Sequence, residues 1–486
     1  MPTKQERAPR QQSNFGKRLM KYRAWGAAGE VTGSCHVLEI NGRTLVLDAG
    51  LFQGHRKQAF ETNRRTPIPP KDADAILLSH AHMDHAGNLP TWVRAGYRGA
   101  IHSTPASRDL CDLMLRDSAK IQLQDVVHVN KRRRREGRRE FEPLYEETDC
   151  DATLEQFRTH GYGDVFEPIP SVKARFLDAG HMLGSAIVVL DAEEAGKSRR
   201  LVFSGDLGHK GSPLLNAATM PDDADFVIME SLYGDRLHEG RDEAEGLLQR
   251  SAAEVIHLGG RLLIPAFAVG RTQEVVFHLN SLVESGRLPR FDVFVDSPLA
   301  VNVTQVFKRH AEILNDAVRA RAKQDVDRNP FGFDGLQYIQ DVEQSKALNF
   351  RKEPCAIISA SGMCEAGRIL HHLKNHVGKP TTTVLFVGFQ AEHTLGRKLL
   401  EGVNPVPIFG EQVSVRARLL RAEGFSGHAD RDGLLAWIDG VRARGSVERV
   451  FLVHAEAPAR DAFAEMLKAR GVKHVEKPMQ NDRYEF

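Results

Sequence analysis

A chain of 486 residues exceeds what one hydrophobic core usually supports and implies two domains. Its 41% hydrophobic and 27% charged content is that of a soluble globular protein, and no uninterrupted apolar run is long enough to span a bilayer. A formal net charge of +2 is too small to establish a nucleic-acid partner by itself, so that question turns on where the charge sits.

The opening stretch, Met1 to Arg23, is basic and polar. It lacks the apolar centre of a signal peptide, so export is not expected, and residues 1–17 read as a disordered basic arm. Gly26 to Ser34 is a glycine-rich turn without the Walker lysine or the G-x-G-x-x-G spacing of a phosphate loop. Asn41-Gly42 between Cys35–Ile40 and Thr44–Asp48 predicts a hairpin. Asp48 closes the second strand beside Ala49-Gly50. Such an aspartate is ordinarily a cap or turn former. The competing role is a carboxylate that orients metal-bound histidines from behind.

The apolar run Ala75 to Leu78 predicts a buried strand entering Ser79-His80-Ala81-His82-Met83-Asp84-His85-Ala86-Gly87. His80, His82, Asp84 and His85 put four metal-capable side chains within six positions. His80 and His82 point the same way while the chain stays extended. Asp84 and His85 follow the turn and can face a second point, so two neighbouring metals satisfy the four better than one. Imidazoles and a carboxylate are the usual nitrogen and oxygen ligands of zinc.

Helices are expected over Thr91–Arg98 and from Pro105 to about Arg139, the second ending in Lys131-Arg132-Arg133-Arg134-Arg135-Glu136-Gly137-Arg138-Arg139. That run is either a solvated helix end or a contact to phosphates. It has no interleaved aromatics and is not a base-stacking platform. The strand Val172–Ala179 delivers His181, and Arg200–Ser204 delivers Asp206.

From about Gly211 to Gly410 the pattern changes. Asp225–Glu230, Arg261–Pro265, Asp292–Asp296, Ala356–Ser359 and Thr383–Val387 alternate with helices, which predicts a parallel sheet flanked by helices. Ligands in such sheets sit at the carboxyl ends of the strands. The loop Ser359-Ala360-Ser361-Gly362, leading into a helix with Arg368, is therefore a candidate phosphate-holding element. The tail returns to strands at Val413–Leu419 and Arg449–His454, with His428 and His454 at element ends. The five cysteines (Cys35, Cys111, Cys150, Cys355 and Cys364) show no C-x-x-C spacing and are odd in number, which argues against a cysteine metal site or a disulfide framework and for a reducing cytoplasm.

The pattern H-x-H-x-D-H at 80–85, with a downstream His181, Asp206 in S-G-D and a strand-end Asp48, resembles the metallo-β-lactamase superfamily. Met229-Glu230-Ser231-Leu232-Tyr233-Gly234, Phe425-Ser426-Gly427-His428-Ala429-Asp430 and Leu452-Val453-His454 resemble its β-CASP branch. Ser359 to Leu373 and Val387 to Leu399 are similar to the short bacterial RNA-processing members, relatives of the endonuclease subunit of the cleavage and polyadenylation factor. The resemblance runs from about Tyr22 to about Lys477.

It implies an α/β protein: an αββα sandwich with an inserted β-CASP domain, the site lying between them. The expected limits are 18–210 and 411–486 for the sandwich and 211–410 for the insert. It implies two zinc ions: His80, His82 and His181 on one, Asp84, His85 and His454 on the other, and Asp206 between them. Asp48 would orient ligands, and Glu230 would hold His428 as a general acid. With Asp84, these are the expected catalytic residues, and Ser359, Ser361, Gly362 and Arg368 are the substrate-binding candidates. Two metals about 3.5–4 Å apart can clamp an in-line phosphoryl displacement. The implied activity is hydrolysis of RNA to 5′-phosphate and 3′-hydroxyl ends, by an endonuclease or also a 5′-to-3′ exonuclease. RNA-processing members keep a histidine at position 454, which favours single-stranded RNA over single-stranded DNA. The family usually has Gly-Glu after that histidine, whereas this chain has Ala455-Glu456. Family analogy also suggests a homodimer. A small-molecule metallo-hydrolase and a catalytically inactive RNA-binding subunit are the alternatives. The large insert and the Glu230 and His428 pair oppose the first, and the filled ligand positions oppose the second.

Overall fold

The computed structural model describes residues 20–486 apart from 55, 195, 325–328 and 392; the expected arm at 1–17 lies outside the described residues. Asn41 and Gly42 both have positive φ (52° and 75°), the backbone of a two-residue hairpin turn, and join Cys35–Ile40 to Arg43–Leu47 in antiparallel register. This hairpin is the centre of a seven-stranded sheet in the order 483–485, 21–26, 35–40, 43–47, 75–77, 100–103, 157–159. A second seven-stranded sheet runs 474–476, 449–453, 226–230, 197–203, 186–194, 172–178, 166–169.

Strands buried on both faces use their period of two to serve two cores. Leu45 and Leu47 pack with Phe176, Phe203, Ile228 and Phe451 between the sheets, whereas Val46 faces outward onto Trp92 and Leu110. On the far side Val202, Val227 and Leu452 meet Trp437, Ile438 and Phe463 of the helices Arg431–Arg442 and Ala457–Ala469. Two inner sheets covered by outer helices make the expected αββα sandwich.

The insert is a six-stranded, wholly parallel sheet in the order 336–339, 292–296, 355–359, 261–265, 382–386, 418–421. Helices cover both its faces, with Val275 and Leu279 on one side and Ile369 and Leu373 on the other. Two strands do not respect the expected limits of 211 and 410. Phe226–Glu230 pairs in parallel with 197–203 and 449–453 and so belongs to the sandwich. Arg418–Arg421 pairs with Thr382–Phe386 and so belongs to the insert. The single strand expected at 413–419 is instead two: Glu411–Val413 pairs with Val406–Ile408, and the chain restarts at Arg418. The break has a cause. Asn404 takes both backbone groups of Val415, and the N–H groups of Arg416 and Ala417 both donate to the Val377 carbonyl, which removes them from any ladder.

Candidate metal centre and its surroundings

The strand Ala75–Leu77 leads through Leu78 to Ser79, and His80 follows in full burial. A short helix, Met83–Ala86, starts straight after His82, so Asp84 and His85 turn away from His80 and His82 as their spacing requires. His80 Nε2 and His181 Nε2 each stand 3.1 Å from His82 Nδ1. Asp206 Oδ2 is 3.5 Å from His80 Nε2 and 3.6 Å from His181 Nε2. The other oxygen, Asp206 Oδ1, is 3.3 Å from His85 Nε2 and 3.6 Å from His454 Nε2, and Asp84 Oδ2 is 3.6 Å from His454 Nε2. Zinc held by bonds of ~2.0–2.1 Å in a tetrahedron separates its ligand atoms by about 3.3–3.4 Å. The spacings in both groups cluster around that edge.

The buried atoms are consistent with a cation. His85 Nε2, Asp206 Oδ1 and both ring nitrogens of His454 are buried with no hydrogen-bond partner among the described residues, although such atoms are nearly always satisfied in proteins. Burial pushes the imidazoliums of His80 and His181 well below their ordinary range and His82 down to about 4, so these three rings are neutral and carry lone pairs at pH 7. At His85 burial acts the same way, but Asp206 and Asp48 more than offset it and hold the imidazolium well above its usual range. The His85 ring thus lies between two carboxylates, in a place where positive charge is favoured.

The supports around these side chains are specific. Asp48 is fully buried; its Oδ2 accepts from His85 Nδ1 at 2.7 Å and from the hydroxyls of Ser79 and Ser34 at 2.9 and 3.1 Å. Its Oδ1 accepts from the Ser79 N–H at 2.7 Å. Donation from Nδ1 leaves His85 Nε2 free to ligate a metal. His181 Nδ1 donates to the Gly427 carbonyl at 3.1 Å, which likewise frees its Nε2. Asp48 and His454 both have left-handed backbone (φ 59° and 55°), a conformation that non-glycine residues adopt sparingly and that concentrates at functional sites. Because that turn falls on His454, Ala455 needs no glycine-like freedom, and its methyl is buried without removing a ligand.

Glu230 ends the sandwich strand 226–230 with its side chain fully buried. Its Oε1 accepts from the Leu207 N–H at 2.6 Å and faces His428 Nδ1 at 3.3 Å. Burial pushes the His428 imidazolium down, but Glu230, Asp206 and Asp84 more than offset it, and the net shift is upward. With Nδ1 turned to Glu230, His428 Nε2 is the nitrogen left to carry a proton. The His428 carbonyl accepts from His238 Nε2 at 3.1 Å, which fixes the loop from behind.

The four inserted-domain candidates lie at the end of the strand Cys355–Ser359 and in the segment leading to the helix Ile369–His376. Ser359 is buried and its hydroxyl donates to the Asp296 carbonyl at 2.8 Å. Ser361 Oγ accepts from the Glu365 N–H at 3.3 Å. Arg368 donates to Asp296 Oδ1 at 2.7 Å and to the Gln340 carbonyl at 2.6 Å, just before the helix Ile369–His376. Gly362 lies against the ring of Phe267. The arginine run ends the helix Pro105–Arg135; Arg132 and Arg138 pair with Glu136, Arg134 pairs with Glu140, and Arg133 covers Phe141.

Sequence spacing did not single out Ser34, Ser79, Gly427 or His238. Ser34, Ser79 and Gly427 lie inside stretches that carry a sequence signal; His238 reaches the site only through the fold. Arg241 and Arg271, which both pair with the buried Glu274, were also missed. Burial pushes the Glu274 carboxyl up, but the two guanidinium groups more than offset it.

A sandwich with histidines and carboxylates gathered at its strand ends, and a parallel-sheet insert beside them, defines a metal-dependent hydrolase. The chain belongs to the β-CASP branch of the metallo-β-lactamase superfamily. Residues 28–266 match the metallo-beta-lactamase superfamily model, 272–399 the Beta-Casp domain, and 412–478 the Zn-dependent metallo-hydrolase RNA specificity domain. The chain is 36% identical over 452 residues to the ribonuclease TTHA0252 of Thermus thermophilus, covering 93% of this chain and 97% of the relative. It is 30% identical to the transcription termination factor FttA of Methanocaldococcus jannaschii (94% and 70% covered) and 29% identical to an RNase J-like protein of the same organism (92% and 94%). A crystal structure of a protein of unknown function from Enterococcus faecalis V583 shares the fold at TM-score 0.55 and 10% identity, covering 96% of this chain and 100% of that one. A metal cofactor belongs to this site. Among the described residues, no helix is long and apolar enough to cross a membrane.

Proposed function

We propose that this protein is a zinc-dependent ribonuclease that cuts single-stranded RNA by hydrolysis and leaves 5′-phosphate and 3′-hydroxyl ends. The observation that carries the reading is Asp206, whose two oxygens face two different ligand groups while His428 Nδ1 stands 3.9 Å from one of them. His80, His82, His181 and Asp206 Oδ2 would hold one zinc; Asp84, His85, His454 and Asp206 Oδ1 would hold the second. When bound, zinc supplies Lewis-acid chemistry, polarising a phosphoryl oxygen and bringing the ionisation of water toward pH ~7.

The chain's own residues do the rest. Asp48 and the Gly427 carbonyl fix the tautomers of His85 and His181. His428 Nε2 delivers a proton to the departing sugar oxygen, and Glu230 Oε1 keeps Nδ1 protonated and the ring aligned. Relatives named ribonuclease and RNase J-like protein support RNA as the substrate class. Internal cutting is the primary mode, and a 5′-to-3′ exonucleolytic mode, weak binding of single-stranded DNA and a homodimer are parts of the same proposal. A cytoplasmic setting is supported by five buried cysteines, all unpaired.

The test is cleavage of an end-labelled single-stranded RNA, beside the same sequence in DNA, before and after chelation and zinc return. Loss with chelator and recovery with zinc supports the reading. RNA binding that survives chelation with no cleavage under any condition makes the protein a binding subunit instead.

A further inference from the structure

A tight turn of the insert, Ala266-Phe267-Ala268-Val269-Gly270-Arg271, follows the strand Arg261–Pro265, opens the helix Arg271–Glu284 and comes up to Gly427 beside His181. The Phe267 carbonyl accepts from the Thr272 N–H at 3.2 Å and from its hydroxyl at 2.8 Å, so the turn is closed on itself. Its two ends face different things.

Phe267 is 39% exposed, which is unusual for a phenylalanine at the carboxyl end of a central strand. Its ring is seated on glycines from the two neighbouring strands' loops. A Cβ at Gly362 would stand 3.0 Å from the ring, and one at Gly388 3.5 Å. Gln390 ties these loops together by donating to the Gly362 carbonyl at 2.9 Å and to the Gly388 carbonyl at 3.1 Å. The Cδ2–Cε2 edge of the ring is therefore backed by these glycines, and part of the side chain is exposed.

At the other end of the turn, Arg271 reaches the metal centre. A Cβ on Gly427 would meet both His181 Cε1, at 3.4 Å, and Arg271 Nη2, at 3.5 Å. Glycine at 427 thus lets a guanidinium approach a metal-ligand histidine. Arg271 and Arg241 share the single acid Glu274, which leaves a net positive charge, and the Nε of each arginine is buried without a partner among the described residues.

We propose that this turn is a nucleotide subsite: the exposed part of the Phe267 ring stacks a nucleobase of the RNA strand, and Arg271 holds a phosphate of the same strand beside the metal centre. This rests on the ribonuclease reading and names the substrate element it recognises. Every base has a π-face, so the platform binds without sequence preference. The occupant is single-stranded, because a base inside a duplex has both faces covered by its stacked neighbours. Arg271 supplies the complementary charge.

The experiment uses the zinc-loaded protein and measures RNA cleavage with two competitors: an oligonucleotide, and an abasic phosphodiester oligomer of equal length. Wild-type protein should bind the oligonucleotide more tightly. Phe267→Leu, which keeps bulk but removes the ring, should raise KM for RNA on the order of 10- to 100-fold. It should leave zinc content and abasic-oligomer inhibition unchanged. Phe267→Tyr should restore KM. Arg271→Gln should weaken both competitors alike. In a Phe267→Trp variant, fluorescence should be quenched by the oligonucleotide and not by the abasic oligomer. If Phe267→Leu keeps the wild-type KM while the wild type prefers bases, the subsite is wrong and the ribonuclease stands. If the wild type neither cuts nor binds RNA, the ribonuclease reading itself falls. Loss of zinc in Phe267→Leu would show a structural role for the ring and overturn the subsite.

Discussion

Replacing Asp48 with asparagine changes one atom and sets the tautomer of His85. Asp48 accepts four hydrogen bonds, three of them on Oδ2. If the amide nitrogen takes the Oδ2 place, the serine hydroxyls can rotate to accept, but His85 Nδ1 can accept only by moving its proton to Nε2. That puts an N–H where a lone pair must face the metal. If the amide turns over, its nitrogen meets the Ser79 N–H, donor against donor, with no rotation to relieve it. A buried mispaired donor costs about 1–3 kcal/mol, or roughly 5- to 150-fold in an equilibrium. This agrees with the roughly 10- to 100-fold loss of metal affinity or activity usual for such orienting partners. Zinc per chain, equilibrated against a competing chelator, measures it. The Asp48→Asn protein should keep one tight zinc on the His80, His82 and His181 group and hold the second roughly 10- to 100-fold more weakly, with turnover falling in step. Two zincs at wild-type affinity would refute the role given to Asp48.

His428→Ala should lower turnover by about 10²–10⁴-fold with full zinc content, and Glu230→Gln should fall in the same direction; zinc loss in His428→Ala would make His428 a ligand. Asp296 is buried and takes bonds from Arg368, Ser345 and His372, so Asp296→Asn should destabilise by about 3 kcal/mol at pH 7 in denaturant unfolding. Burial pushes the Asp296 carboxyl up, but those three donors more than offset it and hold it below its ordinary value. Its stabilisation is therefore full above the unfolded value of about 3.9, fades as pH falls through the lower folded value, and the gap to Asp296→Asn should close in acid. Replacing Arg135 and Arg139 with glutamine should lower the salt slope of RNA binding by up to about 1.4, at about 0.7 per single-strand phosphate; an unchanged slope makes the run a solvated helix end.

Much of the fold could be read from local pattern. The strands 261–265 and 292–296 have the limits expected of them, and Asn41-Gly42 turns as its sequence demands. The clustering of the candidate ligands was equally legible, because a strand end and a one-turn helix place His80, His82, Asp84 and His85 within a few residues. Non-local pairing was hidden. Nothing in Phe226–Glu230 itself says that it joins 449–453 and not the neighbouring inserted strands, and the alternation at 413–419 gave no sign that Asn404 would claim Val415. Arg271 was invisible for the same reason. It is one of 66 Lys and Arg residues, and only the approach of Gly427 from 156 positions away gives it a place.

The most direct measurement is the end chemistry of a single cut. An RNA carrying one 2′-O-methyl group at the scissile nucleotide removes attack by the neighbouring 2′-oxygen and leaves hydrolysis by water intact. The zinc-loaded protein should still cut it and leave a 5′-phosphate and a 3′-hydroxyl. No cut at that position, or a 2′,3′-cyclic phosphate on the unmodified RNA, would contradict water-driven hydrolysis at the Asp206 centre.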